Sequence, residues 1–98
     1  MQELAAMLAE DRAIVIDVRE PDEFGSGHIR GAINMPLSRF DPRALPDPIG
    51  KQLVLQCAGG KRSALALEQC GRAGSAVDTH LYGGIAAWNG ANFPVVTD

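Results

Sequence analysis

The chain has 98 residues, near the small end of the usual range for a domain and enough to close one hydrophobic core, so a single domain over residues 1–98 is expected. With 46% hydrophobic and 21% charged residues it has the balance of a folded globular chain, which excludes a disordered or fibrous one. The net charge of −3 excludes the broad basic footprint that nucleic acid or an anionic membrane surface attracts, so any anion must be recognised by a local arrangement of groups.

Leu4, Met7 and Leu8 recur at i, i+3 and i+4, which predicts a short amphipathic helix over residues 2–10. The same stretch has acids where a secretory leader would have bases, and no apolar run approaches the roughly 18 residues of a membrane span. "AIVIDV", 13–18, is an apolar β-branched run suited to a strand covered on both faces. "REPDEFGSGHIRG", 19–31, reads as a loop with one helical turn around Asp22 to Phe24, and "AINMP", 32–36, as a short strand stopped by Pro36. Pro42, Pro46 and Pro48 make 37–51 irregular. A third strand over 52–57 is broken by "AGGK", after which 62–74 resumes at helical spacing. "VDTHLY", 77–82, predicts a fourth strand, followed by a Gly83–Gly84 turn, a helix in "IAAWNGA" and a tail. Strands alternating with helices predict an α/β fold with a largely parallel sheet and a site at the C-terminal ends of its strands.

The chemistry is expected at "CAGGKRS", 57–63, where a cysteine ends a strand and a glycine-rich loop leads into a helix. Gly59 and Gly60 permit backbone conformations that turn successive N–H groups inward, and the helix start adds partial positive charge. A cysteine in such a nest has its pKa lowered from about 8.5 to between about 3.5 and 7.5, and needs no histidine base to be nucleophilic. Lys61 and Arg62 add charge for an anionic substrate. The competing readings are a buried cysteine acting only as a small apolar side chain, and a simple phosphate-binding turn. Cys70, on the following helix, is expected to pack in the core. Two cysteines without a C-x-x-C pair indicate neither a disulfide framework nor a zinc or dithiol site, so no metal or cofactor is expected, and a reducing, cytoplasmic compartment is.

The chain resembles the rhodanese-like sulfurtransferases. "CAGGKRS" fits their C-x-x-G-x-R-[ST] active loop, and "IDVREPDEF" (16–24), "GHIRGAINMP" (27–36) and "LYGGIAAW" (81–88) follow the family's order. Arg30 stands where the family usually has proline, and 74–80 lacks the usual aromatic. The resemblance implies a parallel sheet of about five strands with helices on both faces. It also implies a sulfurtransferase in which Cys57 takes sulfane sulfur from a small anionic donor such as thiosulfate, or from a persulfide-donating protein. A persulfide on Cys57 is then passed to cyanide or a thiol. N–H groups from Ala58, Gly59, Gly60, Lys61, Arg62 and Ser63 are expected to bind the persulfide, with Lys61 and Arg62 orienting the donor and Ser63 fixing the first helical turn.

Other motif residues are expected to support that loop. Asp17 could brace it or pair with Arg62 or Arg19, and Arg19 could line the pocket mouth or lie solvated. His28 is expected to pin its own loop, a general-base role being the alternative. His80 has no partner visible in the sequence, and Gly83 and Gly84 are expected to let a neighbouring loop approach closely. Two other activities compete: a binding or regulatory module without catalysis, and a phosphatase or arsenate reductase. Four residues separate Cys57 from Arg62, and that short loop suits one sulfur atom better than a tetrahedral oxyanion.

Overall fold

The computed structural model describes residues 2–97; Met1 and Asp98, the ends of the expected domain, lie outside the described residues. In chain order the elements are α1 (Gln2–Ala9), β1 (Ala13–Asp17), α2 (Pro21–Ser26), β2 (Ile33–Asn34), 3-10 turns at Leu37–Arg39 and Pro42–Ala44, β3 (Gln52–Gln56), α3 (Lys61–Arg72) and α4 (Gly84–Gly90).

β1 is the centre of a parallel sheet ordered β2-β1-β3. The longer pairing runs from Ala13 opposite Gln52 to Asp17 opposite Gln56 and sets Val15 against Val54 and Ile16 against Leu55. Because side chains alternate along each strand, this register sorts the apolar residues onto two faces. Ala13, Val15 and Val54 pack with Leu4 of α1, Ile29, Leu81, and Ile85 and Trp88 of α4. Ile16, Val18, Leu53, Leu55 and Cys57 pack with Ala66 and Cys70 of α3 on the other face. A central strand covered on both faces is what the unbroken apolar run at 13–18 requires.

The sheet is smaller than the expected five strands: three are formed among the described residues. The expected fourth strand over 77–82 is reduced to one parallel bridge between Leu55 and His80, made when Leu55 N–H donates to Thr79 O (3.0 Å) and Leu81 N–H donates to Leu55 O (2.8 Å). Leu81 is buried with α1 and α4, so His80, its neighbour in extended chain, is turned toward α3. The segment therefore occupies the edge next to β3 without continuing the ladder.

The single helical turn expected near Asp22 is a six-residue helix, α2. Pro21 stands in its first turn, and a reciprocal capping box joins Glu20 and Glu23. The tail is tied back: His28 and Val96 exchange backbone hydrogen bonds of 2.8 Å each, and the Trp88 indole N–H donates to Pro94 O at 2.9 Å. A groove of about 720 Å³ between 42–53 and 75–78 opens at the start of β3, at the end of the sheet away from the cysteine loop.

Candidate active site

Cys57 follows the last residue of β3 and is 1% exposed. The chain then turns through Ala58, Gly59 and Gly60 and enters α3. Gly60, the residue before the helix, has φ +104°, in the left-handed region that side chains avoid, and a Cβ there would sit 3.2 Å from Gly83 N. Gly59 has no such φ and open space beside it, so the conformational need that the sequence assigns to both glycines belongs to Gly60 alone.

The turn aims donors at the sulfur. Gly60 N–H donates to Cys57 Sγ at 3.1 Å and Ser63 N–H at 3.2 Å, with the Ser63 hydroxyl 3.6 Å away. Burial pushes the thiol up, but the Ser63 hydroxyl and the N–H groups of Ser63, Gly60 and Gly59 together outweigh it, and the Cys57 pKa is lowered. Cys70 is shifted the other way: desolvation raises its pKa against a weaker hydrogen bond to Ser75. Of the two buried thiols, only Cys57 is poised to ionise.

The loop is held from behind by the start of α4. Ile85 N–H donates to Cys57 O at 2.9 Å and Ala86 N–H to Ala58 O at 3.0 Å, while the Gln56 amide donates to Cys57 O at 2.7 Å. This contact demands glycine at 84, where a Cβ would stand 2.3 Å from Cys57 O and 2.6 Å from Ala58 O. Gly83, at φ +81°, forms the turn before it.

Arg62 is engaged within the fold. Its guanidinium donates in bidentate fashion to Glu23 of α2 at 2.6 and 2.9 Å. The hydrogen bond from Arg62, working against desolvation and aided by Glu20 N–H, holds the Glu23 pKa down to about 2. Lys61 is exposed and, among the described residues, has no carboxylate partner.

The Glu23–Arg62 pair gives the fold a defined acid response. A carboxylate whose pKa falls from 4.5 to about 2 on folding adds stability that is fully present above the higher value and is lost as pH drops through the lower. Both side chains are about one-third exposed, at 32% and 34%, so solvent screens the contribution. Thermal melts from pH 6 to pH 2 should show Glu23→Gln less stable than the native chain at pH 6, with the difference closing toward pH 2. Parallel curves would show that the pair contributes nothing.

Asp17 resolves to the second of its two candidate partners. Arg19 donates to it through its own N–H (3.0 Å), Nε (3.0 Å) and Nη2 (2.8 Å), and Nη2 also reaches Gly27 O at 2.7 Å. Both residues are buried, so Arg19 neither lines a pocket mouth nor lies solvated, the two readings the sequence left open: it locks β1 to the 27–28 turn. A buried ion pair with its hydrogen bonds filled is costly to break from either side. His28 is likewise occupied, with Nδ1 2.8 Å from Phe24 O and its ring stacked 3.8 Å from that of Phe24.

Two site residues were not anticipated. Glu23 carries a signal in the sequence, since E-P-x-E at 20–23 is a helix-start pattern at the C-terminal end of β1, on the side where the basic loop emerges. His80 lies with Nδ1 2.9 Å from Ser63 Oγ; strand alternation against core-facing Leu81 would have turned it toward α3.

Comparison with known proteins agrees with this architecture. The family profile described as "Rhodanese-like domain" matches residues 1–91. An uncharacterized protein of Synechocystis is 44% identical over 95% of this chain, which spans about half (52%) of that protein's length. A protein of Allochromatium vinosum named sulfurtransferase is 29% identical, the match covering 97% of this chain and 90% of that one. Among solved structures, a rhodanese-related protein from Thermoplasma volcanium superimposes with a TM-score of 0.80 at 37% identity, over 96% of this chain and 95% of that one.

Proposed function

The chain belongs to the rhodanese-like domain family, and from that premise we propose that it is a sulfur-transfer enzyme whose nucleophile is Cys57. The observation that supports this most is the pair of backbone N–H groups, from Gly60 and Ser63, on a buried Sγ whose pKa is lowered. Such a cradle stabilises a thiolate before reaction and an anionic persulfide after it. The similarity to a protein named sulfurtransferase supports the reaction class.

With thiosulfate as donor, the Cys57 thiolate attacks the outer sulfur. The new S–S bond forms as the bond to the sulfonyl sulfur breaks, giving the persulfide anion and releasing sulfite with the electron pair. Attack by cyanide or a thiolate on the terminal sulfur then regenerates the Cys57 thiolate. Charge is conserved at each step and no external oxidant is needed.

The donor is a small anion or a protein persulfide, and Lys61 separates the two. Since Arg62 is engaged by Glu23, Lys61 is the cation available to a dianionic donor. Lys61→Ala is expected to raise the thiosulfate KM about two- to fivefold with kcat little changed, the size of an exposed charge contact that acts on ground-state binding. The assay is steady-state sulfur transfer from thiosulfate to cyanide. An unchanged KM would remove Lys61 from donor binding and favour a protein persulfide as donor, whereas absence of any transfer from either donor would defeat the reading.

A further inference from the structure

The hydroxyl of Ser63 is fully buried and sits among three polar neighbours: Cys57 Sγ at 3.6 Å, Gly60 O at 3.1 Å and His80 Nδ1 at 2.9 Å. It has one hydrogen to give. The shortest of the three contacts is to the imidazole, which comes from the 79–81 edge segment beyond β3. We propose that His80 is the proton acceptor of Cys57, acting through the Ser63 hydroxyl, and so a positioning residue for the thiolate. The proposal rests on Cys57 being the sulfur nucleophile.

With Nδ1 unprotonated, the imidazole accepts the serine hydrogen and leaves an oxygen lone pair facing the thiol. The S–H bond then breaks as a new O–H bond forms, and the hydroxyl's original hydrogen passes to Nδ1. Serine is unchanged at the end, sulfur is a thiolate, the imidazole is an imidazolium, and no proton is gained or lost. The charges that result attract one another across one side chain, while the Gly60 and Ser63 N–H groups hold the sulfur anion. When Cys57 bears a persulfide, the same imidazolium remains beside the anion.

The other groups around His80 do not compete for this role. Glu3 of α1 and Tyr82 share a cavity of about 280 Å³ with it, and the Asp78 carboxylate accepts from the Thr79 hydroxyl at 2.9 Å. From α3 the facing group is Ser63, and in the same helical turn Lys61 is exposed and Arg62 is bound to Glu23. Among the described residues no carboxylate forms an ion pair with the imidazole.

Alkylation by iodoacetamide, mapped to each cysteine by peptide mass between pH 5 and pH 9, tests the relay in the whole chain. The native labelling rate should rise with pH in two steps that belong to the coupled thiol and proton acceptor together. His80→Gln keeps a hydrogen-bonding group beside Ser63 but cannot take up a proton; it should reduce the profile to a single step and slow Cys57 labelling at pH 7 roughly tenfold. Ser63→Ala with His80 intact should likewise leave a single step, and adding His80→Gln to it should change nothing further. Circular dichroism confirms that each variant is folded, and Ser63→Ala keeps the test open should His80→Gln not fold. A native rate and profile in His80→Gln, or a loss of equal size with and without the Ser63 hydroxyl, would overturn the relay. Labelling that maps to Cys70 instead of Cys57 would overturn the nucleophile assignment.

Discussion

Cys57→Ser is expected to abolish sulfur transfer, lowering turnover by about three orders of magnitude or more, as removal of a covalent nucleophile does. The serine hydroxyl stays protonated at neutral pH and forms no stable bond to sulfane sulfur, so the first half-reaction has no product. The fold should survive, because the replacement is nearly isosteric and its oxygen can accept from the Gly60 and Ser63 N–H groups that now face sulfur. Cys70→Ser, by contrast, should leave the rate near native, since Cys70 is packed in the α3 face of the core with a raised pKa. Assays on both variants with matched thermal melts check this. Residual transfer in Cys57→Ser near the native rate would mean that the nucleophile lies elsewhere.

Gly84→Ala should be the most damaging change outside the loop itself. A Cβ at 84 would fall 2.3 Å from Cys57 O and 2.6 Å from Ala58 O, both backbone atoms with no rotamer to escape through. The φ of +59° adds strain of about 1–2 kcal/mol for an L side chain. Relief requires the start of α4 to retreat from the loop, which lengthens the bonds from Ile85 N–H to Cys57 O and from Ala86 N–H to Ala58 O. The expected loss is about 2–4 kcal/mol, or on the order of 10–20 °C in Tm for a domain of this size, with transfer activity falling because the carbonyls that fix the nucleophile shift. Gly59→Ala is the internal comparison, since nothing lies within 4 Å of its Cβ position and its melting temperature should stay within a few degrees of native. Equal stability of the two variants would show that the α4 contact does not hold the loop.

The parts of this structure legible in the sequence are those dictated by local pattern. The β-branched run at 13–17, the apolar run at 52–56 and the helical spacing after "AGGK" fix the two long strands, the loop and α3, and these place Cys57 at the C-terminal end of β3. The parts not legible depend on contacts distant in sequence. Val77, Thr79 and Tyr82 have the composition of a strand, but pairing is confined to the bonds that Thr79 and Leu81, on either side of His80, make to Leu55, and no local pattern limits an edge segment to one bridge. Asp17 had two arginines within its predicted reach; geometry gives it the one two residues away, because Arg62 is drawn off by Glu23 at a separation of 39 residues. The same distance effect hid the Ser63–His80 contact, which spans 17 residues and joins two elements that sequence order leaves apart. Charge at the site is thus redistributed relative to the motif: the arginine of the loop serves as a strut to α2, and Lys61 is left exposed.

The most direct test of the central claim is the mass of the intact protein after incubation with thiosulfate and removal of the excess. A thiolate seated on the N–H groups of Gly60 and Ser63 should retain one sulfur atom as a persulfide. The gain should be reversed by cyanide and absent from Cys57→Ser. No gain from thiosulfate or from a persulfide donor, or a gain that persists in Cys57→Ser, would contradict a sulfur-transfer role for this loop.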